Sequence, residues 1–97
     1  MFARLMAFPA AAVLLAVWPA SAAHAADKLY CDQYAKAAIN QVRTALSNRK
    51  CADGVQGDRW SAEYHAHYDW CLENNYGTSG NERDARTAYI KACTAQQ

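Results

Sequence analysis

Residues 29–46 read LYCDQYAKAAINQVRTAL, and this stretch decides the fold. Cys31, Ala35, Ala38, Ile39, Val42, Ala45 and Leu46 recur at steps of three and four, which places them on one face of an α-helix. Ser47-Asn48 ends that helix. The following loop, 48–57, holds Cys51, Asp53-Gly54 and Gly57, all turn signals. Asp58 is suited to cap a second helix running to about residue 74, whose inward stripe is Trp60, Tyr64, His67 or Tyr68, and Cys71. A second loop, 74–81, carries Gly77 and Gly80. Asn81 then caps a third helix, with Asp84 near its N-terminal dipole and Ala85, Ala88, Tyr89, Ala92 and Cys93 on one face. The expected architecture is an all-α, three-helix bundle.

Upstream of the first helix, residues 1–25 have the form of a secretory signal peptide. Arg4 supplies the positive region, an apolar run follows from Leu5 to Val17, and Ala23-His24-Ala25 has the small-x-small form of a cleavage site. The apolar run, bracketed by Pro9 and Pro19, falls short of the ~20 residues needed to span a bilayer. Cleavage before Ala26 and a periplasmic location are therefore expected. The domain is 26–97, not membrane-embedded once cleaved. Formal net charge is +1 at pH 7, so no strong field draws the chain to nucleic acid or an anionic membrane. Little Leu, Ile or Val follows residue 25, and a core this thin in so short a chain calls for covalent staples.

The four cysteines, Cys31, Cys51, Cys71 and Cys93, all lie beyond the leader. An even count in a short exported chain points to two disulfides, and the wide spacing excludes Cys-x-x-Cys redox chemistry and zinc knuckles. Three pairings are open from spacing alone. If the helices run up, down and up, Cys31 meets Cys71 at one pole and Cys51 meets Cys93 at the other. Joining Cys31 to Cys93 would span a helix length, roughly 25 Å at about 1.5 Å per residue. A bridge tolerates Cα separations of only about 7 Å. The expected pairs are Cys31–Cys71 and Cys51–Cys93.

Candidate chemistry is sparse. His65 and His67, two apart, diverge on a helix and do not grip one ion together; His67 reads as a packed, hydrogen-bonded core residue. Asp69, Glu73, Asn75, Glu82 and Asp84 gather oxygen ligands around the second turn, a shallow surface site for a hard cation such as a lanthanide or calcium. The pattern fails the EF-hand spacing, so water or a second molecule would complete it, as in a metal-bridged dimer. Trp70 and Tyr76 are candidates for a partner-binding surface. Ser61 with His65 is a weak hydrolase signal, since no orienting acid accompanies the pair.

The pattern Cys31-x-x-Tyr34-Ala35-x-x-Ala38, Cys51, Arg59-Trp60-Ser61, His67-Tyr68-x-Trp70-Cys71, Arg86 and Cys93 resembles a set of small exported four-cysteine helical proteins of alphaproteobacteria. In size, export and surface carboxylates the chain is also similar to LanD-type periplasmic lanthanide-binding proteins. These resemblances imply a compact disulfide-linked helical protein and strengthen the cation reading without carrying over any ligand residue. The sequence thus leads to a non-enzymatic periplasmic binding or accessory protein with no organic cofactor. Its partner would be another periplasmic protein or a metal ion. Carriage of a lanthanide or calcium is the alternative.

Overall fold

The computed structural model describes residues 26–96, so the leader and its cleavage site lie outside the described residues. The fold is all-α: α1 spans Lys28–Leu46, the short α2 Arg49–Ala52, α3 Tyr64–Leu72 and α4 Tyr76–Thr94, with a 3-10 turn at Asp58–Trp60. Both disulfides form as expected. Cys31 is bonded to Cys71 and Cys51 to Cys93, with Cα atoms 5.6 and 5.3 Å apart.

α1 is the central rod. Asp27 caps it, its carboxylate accepting from Tyr30 N at 2.7 Å. Cys31, Ala35, Ala38, Val42 and Ala45 are buried along the expected face, and Tyr34 joins them. Ile39 is only half-buried and Leu46 is 53% exposed, so the stripe fades at its end. α3 and α4 each pack on α1, but little on one another. The Cys31–Cys71 bond ties the end of α3 to the start of α1, and the Cys51–Cys93 bond ties the end of α4 to α2, just past the end of α1.

Four expectations are corrected. Residues 49–52 are helical rather than loop, because Asn48 accepts from Lys50 N at 2.8 Å and so caps one more turn. Asp58 starts a single 3-10 turn instead of a long helix. Gly57 stands before it at φ 89°, a left-handed conformation that glycine adopts readily, and Ser61–Glu63 run without helical structure to α3. The loop expected at 74–81 is the first turns of α4. Asn75 rather than Asn81 is the cap, accepting from Thr78 N at 2.8 Å, and Gly77 and Gly80 sit inside the helix. Each helical glycine costs about 1 kcal/mol relative to Ala; burial of Ser79 against the Cys71 sulfur, 3.7 Å away, holds this turn in place. Finally, α4 buries Ser79, Arg86 and Cys93, whereas Ala88 and Ala92 face solvent.

The core is divided. One apolar cluster holds Cys31, Tyr34, Cys71 and Ala26, with Tyr30, Tyr68, Trp70 and Leu72 packed against it. The other holds Val42, Ala45, Cys51, Trp60 and Cys93, with Val55, Tyr89 and Ile90. Each pole thus has its own disulfide. Between them lies Arg86, fully buried.

Candidate functional site

Arg86 is held in place by neutral oxygens. Its Nε donates to Gln41 Oε1 at 2.7 Å and its Nη1 to the Arg59 carbonyl at 3.1 Å. The ring of Tyr34 lies 5.2 Å from the guanidinium carbon, a cation–π distance. Nη2 finds no acceptor among the described residues. Unpaired buried donors are uncommon, because each forfeits its hydration without replacement.

A cleft of about 250 Å³ opens beside this guanidinium, lined by Tyr34 from α1, Asp58 and Arg59 from the 3-10 turn, His67 and Trp70 from α3, and Glu82 and Arg86 from α4. It exists because α3 and α4 both lean on α1 rather than on each other. One wall is aromatic: Tyr34 stacks on Trp70 at 5.8 Å and 28°, and meets the His67 ring edge-on at 6.4 Å. Burial raises the Tyr34 phenol above its ordinary value, partly offset by neighbouring Arg86.

His67 is buried, and its Nε2 lies 2.7 Å from the Ser61 carbonyl. A carbonyl can only accept, so Nε2 carries the proton and Nδ1 is the acceptor of the neutral ring. Burial lowers the His67 pKa, the Ser61 bond opposes that, and the charge of Arg86 lowers it further. The packed, hydrogen-bonded role read from the sequence is the one observed. Ser61 spends its Oγ accepting from Glu63 N at 3.1 Å, and no hydrogen bond joins it to His65 among the described residues.

Glu82 is engaged elsewhere than expected. Its two oxygens take Arg59 Nε and Nη2 at 2.9 and 2.7 Å, a bidentate fork that holds its pKa below the ordinary carboxylate value. Its distance to Arg86 Nη1 is 3.9 Å, too long for a hydrogen bond. The other proposed cation ligands are spread over the surface. Asp69 lies 3.9 Å from His65 Nδ1, Glu73 is the exposed C-cap of α3, Asn75 spends its side-chain oxygen on the α4 cap, and Asp84 is exposed beside Arg83. Among the described residues no group of three His, Cys, Asp or Glu side chains is placed to hold a metal ion.

Of the two partner-surface candidates, Trp70 is half-buried in the cleft wall. Tyr76 is 43% exposed and ties the starts of α4 and α1 together, donating to Asp27 Oδ2 at 2.6 Å and meeting the Tyr30 ring at 4.7 Å. Arg86, the centre of the cleft, escaped the reading of α4 by apolar residues. Ser79, Arg86 and Cys93 recur every seven positions, so counting back from the cysteine in heptads would have found it. Among the described residues no helix is long and apolar enough to cross a membrane. No family model, curated protein or solved structure matches the chain.

Proposed function

We propose that the protein is a non-enzymatic, exported binding protein whose ligand site is the cleft at Arg86. The observation that carries this reading is the fully buried guanidinium on the cleft wall with one nitrogen left without an acceptor. A well-packed apolar side chain in place of a buried charged group is often neutral or stabilising, so cost without use is a poor explanation of an arginine here. A concave site with an aromatic wall and a few convergent polar groups is the usual form of a small-ligand pocket. Export is supported by the leader-like residues 1–25 and by two disulfides, which persist in oxidising compartments.

The test is a fragment screen on oxidised protein recovered after export, read by amide and side-chain NMR. Binders that saturably shift Tyr34, His67 and Trp70 support the proposal. A screen whose only hits lie elsewhere on the surface, or that gives no hits, overturns it.

A further inference from the structure

The chemistry of the cleft narrows its ligand further, on the reading that the cleft is the binding site. Arg86 carries a full positive charge that no carboxylate meets at hydrogen-bond distance. Its two bonds go to an amide oxygen and a backbone carbonyl, both neutral. The one carboxylate nearby, Glu82, spends both oxygens on Arg59. Asp58 is exposed on the rim, where water screens it. His67 adds no charge at neutral pH, since burial holds its pKa below the ordinary imidazole value. The inner cleft is therefore short of one hydrogen-bonded carboxylate, and the buried Arg86 Nη2 has no acceptor among the described residues. A dianionic phosphate would need several charge-assisted donors; a monoanion matches the single guanidinium charge that no carboxylate meets at hydrogen-bond distance. Beside this donor stands the stacked Tyr34–Trp70 pair, with Trp70 half-exposed and able to receive a flat apolar body. The volume, about 250 Å³, lies below the range of drug-sized pockets, so the ligand is small.

We infer that the cleft takes a small planar monocarboxylic acid, its carboxylate toward Arg86 at the cleft wall and its ring or chain against Trp70 and Tyr34. Benzoate is the probe, and benzamide its neutral match in shape. Both are titrated into the oxidised, exported protein, with tryptophan fluorescence and the NMR shifts of Tyr34, His67 and Trp70 as readouts. Benzoate should bind saturably and benzamide about tenfold more weakly, the scale of one charge-assisted hydrogen bond. Because Arg86 is buried and its replacement can unfold the chain, the decisive variant is the more exposed Glu82→Gln. It removes the resident carboxylate and frees Arg59, so benzoate should bind several-fold tighter and its margin over benzamide should widen by as much. Benzamide binding as tightly as benzoate, or Glu82→Gln leaving benzoate binding unchanged or weaker, overturns the carboxylate assignment. If neutral fragments shift the cleft residues and benzoate does not, this inference fails and the cleft remains a binding site. Silence from every probe and fragment at Tyr34, His67 and Trp70 overturns both.

Discussion

Gln41 and Arg86 meet across the α1–α4 interface, the guanidinium Nε donating to the amide oxygen at 2.7 Å. The same amide fixes its own orientation by donating from Nε2 to the Arg83 carbonyl at 3.0 Å and to Thr87 Oγ1 at 2.9 Å. One side chain on α1 thus joins three residues of α4. Gln41 is therefore the residue that lets a charge sit between the two apolar clusters. Replacing it by Leu, similar in size, leaves Arg86 with a second unpaired nitrogen. The expected loss is about 1.5–3 kcal/mol, the range for hydrogen bonds to charged groups. Urea unfolding at neutral pH measures it; a Gln41→Leu protein as stable as the parent would show that the amide is incidental.

Gly54 has a different constraint. A Cβ built there collides with the Tyr89 hydroxyl and comes within 2.9 Å of its ring carbon Cζ. Tyr89 cannot easily yield, because its hydroxyl donates to the Cys51 carbonyl at 2.6 Å and its ring meets Trp60 edge-on at 5.1 Å. Gly54→Ala should cost about 1–3 kcal/mol, the usual penalty of overpacking. Tyr89→Phe removes the hydroxyl that clashes, so the double variant should be less destabilised than the sum of the two single ones. Strict additivity would refute the steric account.

These two sites show what was legible in the residues. The face of α1 was readable because Cys31, Ala35, Ala38, Val42 and Ala45 are small or apolar and repeat without interruption. The disulfide pairing followed from it, since the ends of antiparallel rods meet. α4 was harder to read: its buried positions are Ser79, Arg86 and Cys93, and a search for apolar spacing instead selects Ala88 and Ala92, which face water. Gly77 and Gly80 pointed to a loop, yet the Asn75 cap and the burial of Ser79 override their weak helical preference. For the site, His67 and Trp70 drew attention by residue type. Its centre did not, because a buried arginine carries no hydrophobic signal and is defined only by partners from two other elements, α1 and the 3-10 turn.

Acid should weaken the fold in two stages. Burial holds the His67 pKa below its ordinary 6.5, and the Arg59 fork holds Glu82 below its ordinary 4.5. In both cases the unfolded chain binds protons more readily than the folded one, so stability falls as pH drops. The His67 contribution is complete above 6.5 and is lost as pH falls through its lower folded value. The Glu82 contribution is lost in the same sense, starting below 4.5. His67→Gln keeps a donor able to reach the Ser61 carbonyl but cannot titrate. Its melting temperature, followed from neutral pH downward, should lack the first stage and keep the second. A parent protein whose melting temperature stays flat until the carboxylate range would contradict the assignment to His67.

The divided core makes the two disulfides separable. Each closes a long loop, with partners 40 and 42 residues apart, and each should contribute about 3–4 kcal/mol in the chain-entropy model. Each also anchors its own apolar cluster, and the polar groups around Arg86 stand between the clusters. Local opening follows such boundaries, because an apolar cluster gains little from a neighbour that it touches through polar groups. Replacing Cys51 and Cys93 by Ala should speed amide exchange around Val55, Tyr89 and Ile90 well beyond any change around Tyr34 and Cys71. The Cys31→Ala, Cys71→Ala pair should give the reverse pattern. Exchange that rises equally at both poles in either double variant would mean that the core acts as one unit, with Arg86 transmitting the loss rather than confining it.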